Sequence, residues 1–278
     1  MDDTNRRIKD RLTNYPNLSG LLADHIPVNP PMEASIYKEV DVERVWGKRY
    51  TIWNVLVHDE DRQLNELLRE LDSFAGIYAS AYGEDRLRSG MKNDPFSFLS
   101  ELIAYDSFRS HGISPEIEPS AGTGSSKRMD LSIKLDGREI LLEIIKPFPP
   151  GKLVVQGSGF APLDFGLAEK LAGEVWLHLD ITREPANPFM ILLDGLYSAL
   201  DPFIASNSID RLNRLKASDL SKLTPDQAEL LANRAKLFIS AVLLFRSNWG
   251  SSLSINPSGP SLTGKELSTL RRVFQISN

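Results

Sequence analysis

Residues 129–145 read MDLSIKLDGREILLEII, and this stretch decides the fold. MDLSIKL and EILLEII both have the apolar, β-branched character of strands, and Asp136-Gly137 between them is a strong hairpin signal. The spacing predicts two antiparallel strands joined by a two-residue turn. Residues equidistant from such a turn face one another, so Asp130 is expected opposite Glu143.

Upstream, Asp94-Pro95 is a good N-cap and first helical residue for a helix running to about Ser110 and ending at Gly112. Before it, Leu64, Leu67, Leu68, Leu71 and Phe74 carry helical spacing over residues 60–82, with Gly83 as the stop and a polar loop leading to Asp94. Two earlier runs, SIYKEVDVERV (35–45) and RYTIWNVLV (49–57), alternate imperfectly around Trp46-Gly47-Lys48 and read as a hairpin. Residues 1–34 read as an arm with a short helix around Arg6–Thr13.

Downstream comes a Pro/Gly-rich loop over 147–162, then a helix over 163–172 stopped by Gly173. EVWLHLDI (174–181) reads as a buried strand and residues 188–206 as a helix. Thr224-Pro225-Asp226-Gln227 is a capping box that opens a helix. ISAVLLF (239–245) is best read as a strand, and Thr263–Glu266 is a second capping box.

Helices alternating with apolar strands predict an α/β fold whose central sheet, because of the hairpin, is mixed. The expected layout is an arm over 1–34, a hairpin and helix over 35–93, and an α/β core with helical additions over 94–278. The absence of cysteine removes disulfides, thiolate zinc sites and cysteine nucleophiles. A net charge of -5 argues against non-specific coating of nucleic acid, but not against a site where acidic side chains hold a metal. No apolar run reaches membrane-spanning length, and MDDTNRRIKDRL has no apolar signal region. The expectation is a cytoplasmic protein with no membrane contact.

Glu143 lies within Leu141-Leu142-Glu143-Ile144-Ile145, where a carboxylate is costly to desolvate without a metal, a cation or a proton. A solvent-facing or ion-paired glutamate is the plain alternative. Opposing carboxylates at Asp130 and Glu143 repel unless a cation lies between them. Glu101 borders the apolar stripe of Phe98, Tyr105 and Phe108 on the preceding helix. Such oxygen donors suit Mg²⁺ or Mn²⁺. Lys146 and Lys134 are the lysines available to assist. His178 reads as a core histidine rather than a catalytic one.

The segment from Ser97 to Pro147 resembles the PD-(D/E)XK nucleases. Helix-borne Glu101, then Gly112, then Asp130 leading one strand, with Glu143 and Lys146 in the next, carry the resemblance. It implies a restriction-endonuclease-like mixed central sheet flanked by helices, extended here by the N-terminal hairpin and helix. It also implies a Mg²⁺- or Mn²⁺-dependent hydrolase of nucleic-acid phosphodiesters, DNA or RNA. Asp130 and Glu143 would bind metal, Glu101 would assist both metal and catalysis, and a lysine would position water. Nucleases of this kind are often dimers, which leaves a homodimer as an open expectation. One departure stands out. Two residues, Ile144 and Ile145, separate the acid from Lys146, where the family has one, so alternation turns Lys146 to the other face. A bulge could turn it back, Lys134 could replace it, or the chain could be a catalytically inactive scaffold for nucleic-acid or protein binding.

Overall fold

The computed structural model describes residues 3–28, 51–57, 62–120, 128–146, 163–195, 203–247 and 250–276. The chain divides into two units, with the boundary between Ile103 and Ala104.

In the first unit the described residues are helical: α1 (Asp3–Leu12), α2 (Pro16–Leu22), α3 (Ile52–Val57), α4 (Arg62–Tyr82), α5 (Glu84–Asn93) and the start of α6 (Pro95–Ser110). Leu64, Leu67, Leu68 and Leu71 of α4 are buried, as their spacing predicts. Two expectations need correction. The expected second strand of the N-terminal hairpin is α3 from Ile52 to Val57, and the expected first strand lies outside the described residues. Five consecutive buried residues, Ile52 to Leu56, have no readable period, so their identity is fixed by neighbours. Arg11 of α1 supplies one, donating to the Val55 and Leu56 carbonyls at 3.1 Å each. The expected polar loop before Asp94 is α5, whose only buried residues are Leu87 and Met91, one helical turn apart. Gly90 of α5 is required there, because a Cβ would meet the Phe98 ring at 2.4 Å.

The second unit holds a six-stranded sheet: β1 (Glu116–Ile117), β2 (Leu131–Leu135), β3 (Arg138–Ile145), β4 (Phe189–Asp194), β5 (Ile239–Phe245) and β6 (Ser252–Ile255), ordered in space as in sequence. Neighbours pair antiparallel from β1 to β3, parallel from β3 to β5, and antiparallel again at β6. The sheet is therefore mixed and flanked by helices, as the hairpin predicts. The turn residues Asp136 and Gly137 have φ of 55° and 81°, the left-handed pair that a two-residue hairpin needs.

Between β3 and β4 runs α7 (Leu163–His178), followed after β4 by α8 (Ile204–Leu212) and α9 (Pro225–Arg234), with α10 (Gly264–Val273) last. The capping boxes at Thr224 and Thr263 open α9 and α10 as read. Two expected elements differ in this unit. Gly173 does not stop α7, and the expected strand at 174–181 is the helix's last turn and exit. Leu167, Ala168, Leu171, Ala172 and Val175 are buried at helical spacing, which outweighs the local alternation of Val175, Leu177 and Leu179. The expected helix at 188–206 contains β4, every residue of which is buried. Central parallel strands read as unbroken apolar runs, and periodicity cannot separate them from buried helix.

Register assigns the faces. Glu143, Ile191 and Val242 share one face, which α7 covers. Phe245 points to the other, where it meets Phe274 just past α10, and Phe274 meets Phe108 of α6, with ring centroids 5.5 and 5.3 Å apart. No helix among the described residues is long and apolar enough to cross a membrane.

Candidate metal centre

Leu131 pairs with Leu142, so the next position, Asp130, stands opposite Glu143. The Ile144 N–H donates to Asp130 Oδ2 at 2.8 Å and ties that carboxylate to the strand of Glu143. Cβ atoms of such cross-strand neighbours lie about 5 Å apart. Like charges at that range repel by roughly 3 kcal/mol in a partly dry site. Burial pushes the Glu143 carboxyl well above the usual range, and the charges of Asp130 and Glu174 push it further. Glu143 Oε2 is buried with no hydrogen-bond partner among the described residues.

The third side of the site comes from α7. Lys170, Glu174 and His178 follow one another at four-residue spacing and so share a face of that helix. Lys170 Nζ lies 3.0 Å from Glu174 Oε1. His178 Nε2 lies 3.5 Å from Glu174 Oε2 and 3.7 Å from Glu143 Oε1. Burial alone raises the Glu174 carboxyl, but its contacts with His178 and Lys170 outweigh that and hold it low. Glu143, Glu174 and His178 bring one donor atom each to within 4.8 Å of one another and could hold a metal ion. Donors about 2.1 Å from one ion lie about 3.0–3.4 Å apart when adjacent and about 4.2 Å apart when opposite. The observed separations need only a small contraction to meet those values.

Along the same sheet face, Glu139 accepts from Ser132 Oγ at 3.1 Å and from Asn187 Nδ2 at 3.0 Å. Lys134 is on this face but exposed, about 13 Å along the strand from Asp130. Lys146 is elsewhere. Its Nζ lies 3.3 Å from Asp194 Oδ2 at the end of β4, on the face opposite Glu143, as the two-residue spacing predicts. Arg246 grips the same carboxylate, with Nε 3.1 Å from Oδ1 and a second N–H on Oδ2. Burial lowers the Lys146 ammonium to about 8, with Asp194 opposing the shift and Arg246 adding to it.

Glu101 belongs to the first unit, where Arg86 Nη2 donates to its Oε1 at 2.7 Å. Burial raises this carboxyl, against the pull of Arg86. The structure thus joins Asp130 with Glu143, adds Glu174, His178 and Lys170, and engages Lys146 and Glu101 with other partners. The residues missed by sequence lie on α7. Their four-residue spacing was the available signal, hidden once the stretch was read as a strand. No protein-family model matches this chain, nor does any curated protein or solved structure.

Proposed function

We propose that the chain is a divalent-metal-dependent phosphodiesterase acting on nucleic acid, built on a restriction-endonuclease-like core with Asp130 and Glu143 at its centre. One observation carries the reading. Glu143 presents a buried oxygen with no hydrogen-bond partner among the described residues, opposite a second carboxylate. A buried acceptor left unsatisfied costs about 1–3 kcal/mol, more for a charged group. A divalent cation removes this cost and screens the repulsion, and the donors that could hold one there are Glu143, Glu174 and His178, with Asp130 beside them. The sequence order Asp130, Glu143 on adjacent strands of a mixed sheet supports the nuclease reading of that site, through the resemblance of residues 97–147.

A bound divalent ion would polarise a phosphoryl oxygen and acidify water. The chain's own groups do the remaining work. Asp130, fixed by the Ile144 N–H, keeps its carboxylate aimed across the hairpin. Lys170 brings positive charge to the carboxylates from α7 and is the lysine best placed to face an incoming phosphate; its side chain is 38% exposed. Glu101 and Lys146, each held in an ion pair, act on the stability of the scaffold.

The test is cleavage of single- and double-stranded DNA and RNA with Mn²⁺ or Mg²⁺. The reading expects cutting that EDTA stops and that Asp130→Asn and Glu143→Gln abolish. Equal cutting by either variant would reject it. A second reading, a non-cleaving nuclease-like scaffold, is favoured by the ion pair that engages Lys146 with Asp194, and predicts nucleic-acid binding without products under every metal condition.

A further inference from the structure

We infer that this site selects a transition ion such as Mn²⁺ or Zn²⁺ over Mg²⁺, with His178 Nε2 as a nitrogen ligand beside Glu143 and Glu174. The inference rests on the metal-dependent reading above and concerns which ion that site takes.

Three observations carry it. First, Nε2 is the ring atom turned toward both carboxylates, at 3.5 and 3.7 Å. Charge-assisted hydrogen bonds close to about 2.7–2.9 Å, so these contacts are too long to be a tight ion pair. They are close to the edges of a coordination shell. Second, Glu143 Oε2 is buried in the same cluster and has no hydrogen-bond partner among the described residues. Third, the three side chains are nearly dry, with exposures of 12% for Glu143, 12% for Glu174 and 9% for His178. Mg²⁺ gives up water reluctantly and prefers an octahedron of oxygens. Imidazole suits Zn²⁺, which also takes a tetrahedral shell, and Mn²⁺, although it favours oxygen, accepts a nitrogen donor more readily than Mg²⁺ does. Placement of the donors on two elements, β3 and α7, makes the shell part of the folded unit rather than of one loop.

Lys170 adds a consequence. With no ion, its ammonium is the counter-charge of Glu174 at 3.0 Å. Ion binding releases it from that role and frees it for an anionic ligand.

The experiment adds Mn²⁺ to the full-length chain and records the electron spin-echo envelope, with affinity from calorimetry. We expect nitrogen modulation from a directly bound imidazole. We expect its loss in His178→Ala and His178→Gln, with Mn²⁺ affinity falling by about 10- to 100-fold. We also expect Mg²⁺ at tenfold excess to leave the Mn²⁺ signal in place. Failure of Mn²⁺ to bind, an echo without nitrogen modulation, or displacement by equimolar Mg²⁺ would each overturn the inference. Should the variants not fold, the wild-type echo decides alone. Nitrogen-ligated Mn²⁺ in a chain that cuts no nucleic acid would sink the phosphodiesterase reading and leave this inference standing. Cleavage supported by Mg²⁺ with no nitrogen ligation would do the reverse.

Discussion

Asp130 and Glu143 stand opposite each other across the Asp136-Gly137 turn, and the Ile144 N–H binds the first carboxylate to the strand of the second. A hairpin does not need two acids at that position, and they oppose its formation. Glu143→Gln removes a carboxyl whose ionisation is opposed by burial and by the charges of Asp130 and Glu174, and should stabilise the metal-free protein by about 1–2 kcal/mol at pH values where that carboxyl is ionised, the sign seen when function is traded for stability. Urea denaturation in EDTA checks this. A loss of stability would mean that the Glu143 charge is already compensated without an ion.

Glu101 and Arg86 make a contact of 2.7 Å with side-chain exposures of 8% and 22%. Removing one partner of so buried a pair takes the counter-charge away from the other. Glu101→Gln should cost roughly 1–3 kcal/mol of stability and leave Mn²⁺ affinity unchanged. Loss of ion binding in a fully folded variant would place Glu101 in the metal shell after all.

Lys146 carries a pH dependence of definite sign. Its folded-state value of about 8 lies below the ordinary 10.5. Below pH 8 both folded and unfolded chains hold the proton, and burial of the charge opposes folding by roughly 3 kcal/mol. Between about 8 and 10.5 the unfolded chain binds the proton more, so this contribution rises in favour of folding with pH and is complete above that range. Lys146→Met should flatten the slope. Urea midpoints of wild type and variant at pH 7 and pH 10 test it, and equal slopes in the two proteins would contradict it.

Gly90→Ala tests the packing of the first unit. The new methyl group would meet the Phe98 ring at 2.4 Å, well inside contact distance. The expected loss is about 1–3 kcal/mol, read from thermal or urea denaturation. A neutral result would show that the ring can move aside.

Legibility in the sequence followed the local signals. The hairpin was readable because Asp136-Gly137 fixes both turn type and register, and from register came the Asp130–Glu143 pairing and the turn of Lys146 to the opposite sheet face. Helix starts at Pro95, Thr224 and Thr263 were readable because a cap is a short-range hydrogen-bond pattern. Where burial is complete, pattern is lost. Ile52–Leu56 and Phe189–Asp194 are both mostly apolar runs of buried residues, one in a helix and one a strand, and only their neighbours distinguish them. That ambiguity also hid half of the site. With residues 174–181 read as a strand, Glu174 and His178 fall on one face by parity, but Lys170 is cut off behind Gly173. As a helix, the three form a single row aimed at Glu143. The partners of Glu101 and Lys146 were out of reach for a different reason. Arg86 and Asp194 lie 15 and 48 residues away, and no local pattern announces either contact.

The most direct test of the central claim is calorimetric titration of Mn²⁺ into the wild-type protein, Asp130→Asn and Glu143→Gln. The account predicts saturable binding in the wild type that is lost in Glu143→Gln and weakened at least tenfold in Asp130→Asn, about 1.4 kcal/mol. Undiminished binding in a folded Glu143→Gln variant, or no binding in the wild type, would contradict it.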